Sequence, residues 1–125
     1  MINEKIAIKE IEDLDTQVKF LTRQDTENEY VEFLYTVKIP PEEEKPSNVT
    51  LFLKSKNDFD LNDIEKVVYL FKSDFDPNKI AMSNPDKGFQ LQIEAFGNFH
   101  VIAIVVLKNG DNFQLIQWIS ASRTE

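Results

Sequence analysis

Residues 88–120 decide the fold, and they read GFQLQIEAFGNFHVIAIVVLKNGDNFQLIQWIS. From Phe89 to Ala95 apolar and polar side chains alternate, which is the period of a half-buried strand. The stretch from Phe99 to Leu107 is apolar in both phases, which predicts a central strand covered on both faces. Asn109-Gly110 tolerates positive φ, so we expect a hairpin between that strand and the next one, Phe113 to Ser120.

Strand signals continue upstream of this stretch. Alternation from Val31 to Ile39 predicts a strand with Val31, Phe33, Tyr35, Val37 and Ile39 on its buried face. Segments 49–54 and 65–71 are rich in β-branched and aromatic residues, which favours two more strands. Residues 4–23 fit either two strands or a helical stripe of Ile11, Leu14, Val18 and Leu21, and strands are favoured because every later element is β. The pattern predicts one domain over residues 1–125, an all-β, immunoglobulin-like antiparallel β-sandwich of seven or eight strands.

Composition excludes several classes of site. The 125 residues contain no Cys, one His and three widely spaced Gly, which excludes disulfides, thiolate or multi-histidine metal sites and a glycine-rich phosphate loop. The net charge of −8 argues against a nucleic-acid partner. Neither a signal peptide nor a membrane span is visible, so we expect a cytoplasmic protein without a membrane partner. No nucleophile or cofactor loop is recognisable, so we expect no enzyme, no metal and no cofactor.

The segment 64–101 resembles the YEATS domain family, in particular its prokaryotic branch. Val67-Val68-Tyr69-Leu70 is similar to the family strand that leads into a Leu-His-x-Ser/Thr-Phe loop, and Gly88-Phe89-Gln90-Leu91 is similar to its Gly-Phe-x-Leu strand. Phe96-Gly97-Asn98-Phe99 is similar to its Gly-aromatic-Gly-x-Phe turn. More loosely, the resemblance covers residues 30–120. Three positions depart from the pattern: Phe71 replaces the loop histidine, Asp74 is an extra residue between Ser73 and Phe75, and Ala95 replaces the first turn glycine.

The resemblance implies an immunoglobulin-like sandwich and a binding site at one end of it. Eukaryotic members read acylated lysines, whose planar amide lies between two aromatic rings while a serine hydroxyl and a backbone N–H hold its polar edge. Carried onto this chain, the rings are Phe75 and Phe96, the hydroxyl belongs to Ser73 and the close backbone approach to Gly97. A neutral amide stacks on an aromatic face without the desolvation penalty of a charged ammonium. The resemblance therefore implies a non-catalytic recognition or adaptor module that binds an acylated side chain or another planar ligand between the loop aromatics. The expected partner is a protein or a modified side chain.

An acidic protein-interaction or immunity-type protein is the alternative function. Such proteins bind basic partners through electrostatic steering and a complementary surface. The candidate partner-binding residues are acidic and lie in the first half of the chain: Glu42, Glu43, Glu44, Asp58, Asp60 and Asp63. Salt discriminates the two functions, because ionic binding weakens with ionic strength whereas stacking of a neutral amide barely responds.

Overall fold

The computed structural model describes residues 30–71, 75 and 77–121. In that part of the chain seven strands form two antiparallel sheets: β1 (Val31–Lys38), β2 (Ser47–Ser55), β3 (Ile64–Leu70), β4 (Lys79–Met82), β5 (Leu91–Ala95), β6 (Phe99–Leu107) and β7 (Asn112–Ile119). The smaller sheet has the order β1-β2-β5 and the larger one β4-β3-β6-β7. The predicted antiparallel sandwich is therefore confirmed, whereas the strands proposed for residues 4–23 lie outside the described residues.

The main core lies between the two sheets. Side chains from six strands and from the segment before β5 meet there, and the largest of those that are fully buried include Tyr69, Phe89, Leu51 and Ile119. The alternation predicted for β1 holds at Val31 and Phe33, which are buried, and fades toward Ile39, which lies beyond the strand end and is 42% exposed. The prediction that Ile39 lies on the buried face was therefore wrong. Strand β1 ends at Lys38, so Ile39 has left the strand and its side chain no longer faces the core.

Strand β6 is buried on both faces, as its doubly apolar pattern predicts. Val101, Ala103 and Val105 face the main core, while Ile102 and Ile104 belong to a second apolar cluster with Val68 and Leu70 of β3. The strand lies between β3 and β7 in the larger sheet, and it forms with β7 the hairpin predicted at Asn109-Gly110. It connects the β5–β6 turn at one end of the sandwich with the β6–β7 turn at the other.

Two local features were not expected. Strand β4 has only four residues, Lys79–Met82, and its alternating exposed and half-buried side chains are too few for a recognisable period. Strand β5 begins at Leu91 instead of Phe89, because Gly88 and Phe89 both adopt positive φ, 69° and 57°. Phe89 is nevertheless fully buried, so the left-handed turn delivers its ring into the core before the strand starts.

Strand directions divide the loops between two ends of the sandwich. At the turn end lie the β1–β2 loop (39–46), the described part of the β3–β4 connection and the β5–β6 turn (96–98). The opposite end holds the β2–β3 connection (56–63) and the β6–β7 turn (108–111), and it is called the cleft end because these two loops border a cleft.

Two hydrogen bonds join the edge strands β1 and β7 across the sheets: Gln117 Nε2 donates to the Phe33 carbonyl at 2.7 Å, and the Ser120 N–H, just after β7, donates to Tyr35 Oη at 3.2 Å. None of the helical segments in the described ranges has the length or hydrophobicity to cross a bilayer.

Candidate functional site

The β5–β6 turn presents an aromatic ring to solvent. Phe96 is 66% exposed, although Ala95 before it and Phe99 after it are buried. Gly97 turns the chain with φ of 76°, and a Cβ placed on it would have no atom within 4 Å. Asn98 Oδ1 accepts a hydrogen bond from the Ala121 N–H at 2.9 Å, which ties the turn to the segment after β7. The turn is thus anchored on both sides while its tip is open, an arrangement that can offer an aromatic face to a ligand.

Phe75 lies in an aromatic cluster beneath the turn end. Its ring stacks on Phe71 with centroids 5.3 Å apart and planes 22° apart, and it meets Phe99 at 5.2 Å and 52°. Phe71 and Phe99 are buried and Phe75 is half-buried. In the described part of the chain no ring contact joins Phe75 to Phe96. Phe71, Phe75 and Phe99 are called the three-ring cluster below.

The four residues that the resemblance implies as one ligand site do not share one environment. Phe96 and Gly97 form the open turn, and Phe75 belongs to the three-ring cluster. Ser73 lies outside the described residues. Phe75 is half-buried, Phe96 is exposed and no ring contact joins them, so the stacking of an amide between the two rings stays a prediction.

The six candidate acidic residues form two groups at opposite ends. Glu42, Glu43 and Glu44 are exposed on the β1–β2 loop, which leads into Ser47, and Ser47 pairs with Ala95 beside the open turn. Asp58, Asp60 and Asp63 lie in the β2–β3 connection at the cleft end. A single acidic surface containing all six is not formed, because strands β2 and β5 separate the two loops. Asp60 also caps the short helical turn 61–63 by accepting from the Asn62 N–H at 2.9 Å.

Sequence reasoning missed a cleft between the β2–β3 connection and the β6–β7 turn. Its volume is about 380 Å³, and it is lined by Tyr30, Phe59, Asp63, Leu107, Lys108 and Asn109. The Tyr30 and Phe59 rings of the lining meet at 5.0 Å, and Tyr30 also meets Phe113, behind the lining, at 5.6 Å. These rings come from three distant parts of the sequence, and no local motif could have joined them.

The buried Tyr69 hydroxyl has a structural partner. Tyr69 Oη donates to the Phe89 carbonyl at 2.9 Å, and burial raises the pKa of the Tyr69 hydroxyl far above its usual range. The His100 ring packs on Trp118 at 4.6 Å on the other face of β6. Within residues 30–71, 75 and 77–121, no cluster of three His, Cys, Asp or Glu side chains could hold a metal ion.

Two packed antiparallel sheets with seven strands in this order define an immunoglobulin-like β-sandwich. The prokaryotic YEATS domain matches residues 47–119, more than half of the sequence, and the chain belongs to that family. The match contains the open turn, Phe71 and the whole of the larger sheet.

Solved YEATS domains share the fold. The Yaf9 YEATS domain recognizing an H3K122suc peptide superposes with a TM-score of 0.58 at 18% identity, over 71% of this chain and 68% of that one. The yeast AF-9 homolog protein Yaf9 gives 0.59 at 19% identity, over 71% and 64%. The Yaf9 YEATS domain bound to H3K27ac gives 0.52 at 17% identity, over 70% and 75%. No curated protein matches the sequence.

Proposed function

We propose that this chain is a non-catalytic recognition module that binds an acylated lysine side chain at the turn end. The partner is then a protein that carries the modification. The observation that carries this proposal is the open β5–β6 turn, in which Phe96 is 66% exposed beside Gly97 within the region matched by the family.

The physical chemistry of the turn supports this function. The β5–β6 turn is held between the buried Ala95 and Phe99, so the backbone that carries Phe96 needs little further ordering when an amide stacks on its ring. Gly97 has no side chain above the backbone, which leaves room for a planar group to approach. Phe75 supplies the second apolar surface, and Ser73 is the proposed hydroxyl donor to the amide oxygen.

The test is an NMR shift titration of the full chain with acetyl-, crotonyl- and unmodified-lysine peptides. We expect saturable shifts around Phe96 and Gly97 with the acylated peptides alone. The variant Phe96→Ala should lose them. Tyr30→Ala is the matched control, since Tyr30 is also an exposed aromatic (43%) but lies at the cleft end. Binding that survives Phe96→Ala, or that Tyr30→Ala removes equally, contradicts the assignment.

A second candidate function is binding of a basic protein at the cleft end. Asp58, Asp60 and Asp63 support it, because they follow one another within six residues beside the aromatic cleft. Binding of this kind should weaken steeply as salt is raised through the range where the Debye length falls from about 10 Å to about 3 Å. The variant Asp58→Asn/Asp60→Asn/Asp63→Asn should then lose a partner captured at low salt, whereas Phe96→Ala should retain it.

A further inference from the structure

We propose that the cleft between the β2–β3 connection and the β6–β7 turn is a second binding site, which takes a small organic cation whose ammonium nitrogen carries alkyl groups. The cleft lies at the end of the sandwich opposite the open turn, so this inference does not depend on the proposed binding of acylated lysine. Three features carry it: the size of the cleft, the aromatic rings in its lining, and the hydrogen bonds and charges of its polar groups.

The cleft has the size and the apolar wall of a small-molecule site. Its volume of about 380 Å³ falls within the range of ligand pockets, roughly 300–1,000 Å³. Tyr30, Phe59 and Leu107 form the apolar part of the lining. Phe59 and Leu107 are half-buried and pack on the main core. This part of the wall is therefore already ordered, and little conformational freedom is lost when a ligand binds.

The aromatic rings give this wall an affinity for positive charge. The Tyr30 side chain is 43% exposed, and its ring is supported by Phe59 at 5.0 Å and by Phe113 at 5.6 Å. The planes of Tyr30 and Phe59 are tilted by 46°, so the two lining rings do not hide each other's faces completely. A ring face attracts a cation that lies within about 6 Å of the ring centroid. An ammonium group in the cleft can therefore gain this attraction together with apolar contact.

The polar groups of the lining favour an alkylated ammonium over a primary one. Asn109 Oδ1 already accepts a hydrogen bond from the Asp111 N–H at 2.9 Å. The Asp63 carbonyl accepts one from the Lys108 N–H, also at 2.9 Å. The Asp63 side chain is the carboxylate of the lining. A primary ammonium has three N–H donors to satisfy when it leaves water, whereas an alkylated ammonium needs apolar contact and a counter-charge.

Charge on the two loops that border the cleft also favours a cation, by a small margin. Residues 56–63 and 108–111 contain four carboxylates and two ammonium groups: Asp58, Asp60, Asp63, Asp111, Lys56 and Lys108. The surplus of carboxylates is therefore two, and Lys108 in the lining opposes a bound cation. These side chains are mostly exposed, so we expect the rings to provide most of the selectivity and the charges a smaller part.

Two probes of the same shape test the charge of the ligand on the unmodified full chain. Choline and 3,3-dimethylbutan-1-ol differ in one atom, the quaternary nitrogen, which is carbon in the alcohol. In an NMR titration choline should give saturable shifts at residues 107–110 and at Phe59, and should bind at least about tenfold more tightly than the alcohol. Equal affinity, or no shift with choline, overturns the inference and leaves the turn-end proposal standing. A lysine peptide that shifts these signals when choline does not would assign the cleft to a basic protein instead.

Three variants and one control identify the groups that select the cation. Asp63→Asn should weaken choline binding about threefold at low salt, and Lys108→Gln should strengthen it by a similar factor. Opposite signs would mean that the cleft binds an anion. Tyr30→Leu should remove most of the preference for choline over the alcohol. Trp118→Leu is the matched control, since Trp118 is also exposed (47%) but lies near the end of β7, away from the cleft. A preference that survives Tyr30→Leu, or that Trp118→Leu removes equally, overturns the inference.

Discussion

The two ends of the sandwich use the same residue types for different purposes. Strand β5 starts on the side of the cleft end, where β2 finishes; just before it, Phe89 is fully buried and the positive-φ Gly88 lies against the backbone of Leu53. At the turn end Phe96 is 66% exposed and the positive-φ Gly97 meets no neighbour. Phenylalanine and left-handed glycine are structural at one end and accessible at the other. Position relative to the sheet register, and not residue type, separates the stabilising positions from the candidate binding positions.

The largest difference in the free energy of unfolding is expected between the variants Phe89→Ala and Phe96→Ala. Removing the buried ring of Phe89 leaves a cavity in the main core, and the free energy of unfolding should fall by about 4 kcal/mol. Removing the exposed ring of Phe96 should change it by less than about 0.5 kcal/mol. Urea denaturation followed by circular dichroism measures both. A loss above about 2 kcal/mol for Phe96→Ala would mean that its ring is part of the core.

Alanine substitutions at Gly88 and Gly97 should give the next largest difference in stability. A Cβ on Gly88 would lie 2.2 Å from the Leu53 carbonyl oxygen, a backbone atom, so Gly88→Ala should destabilise the protein by about 3 kcal/mol through strain and displacement of β2. Gly97→Ala adds only the strain of positive φ, about 1 kcal/mol. Thermal melts of the two variants compare them directly, and equal losses would contradict the open geometry of the turn.

Removing the hydroxyl of Tyr69 or of Tyr35 should give a smaller difference in the free energy of unfolding. Tyr69→Phe leaves the buried Phe89 carbonyl without its donor, and the expected loss in the free energy of unfolding is about 1.5 kcal/mol. Tyr35→Phe removes an acceptor from the exposed Ser120 N–H, which water can replace, so the loss should be below about 0.5 kcal/mol. The same urea assay applies, and a larger loss at Tyr35 would reverse the assignment of buried and exposed bonds.

High pH isolates the contribution of the buried Tyr69 hydroxyl to stability. The pKa of Tyr69 is raised by burial, so above the ordinary tyrosine value of 10.0 the unfolded chain releases this proton while the folded chain keeps it. Stability is therefore unaffected by this group below pH 10 and falls as pH rises above it. The alkaline decline between pH 10 and 11 should be smaller in Tyr69→Phe than in the parent protein, measured as the urea midpoint. An identical decline in the two proteins would contradict the burial of this hydroxyl.

Most of the fold could be predicted because the strands carry strong local signals. The period of two and the doubly apolar Phe99–Leu107 segment define β1, β5 and β6, and Asn109-Gly110 marks the hairpin. Strand β4 could not be predicted, because four residues with small contrast contain no readable period. The start of β5 was misplaced, since Phe89 has positive φ in a turn that closes through its N–H to the Asn84 carbonyl, a bond that local sequence preference does not reveal.

The candidate site was only partly predictable from the sequence. Short motifs indicate which loops can form a site. One of them, Phe96-Gly97, lies on an open turn in the structure. Sequence cannot report which way a ring points: Phe75 is committed to the three-ring cluster by contacts with residues 4 and 24 positions away. The division of the acidic residues between two ends follows from strand register, which emerges only once the pairing of β2 with β1 and β5 is known.

The bond from Gln117 to the Phe33 carbonyl joins residues 84 positions apart, and the bond from Ser120 to Tyr35 joins residues 85 apart. Contacts this distant in sequence require closure of a long loop, which is expected late in folding. An interaction absent from the transition state slows unfolding without speeding folding. We therefore expect Gln117→Ala to speed unfolding, and so to shorten the lifetime of the folded molecule, while the refolding rate stays the same.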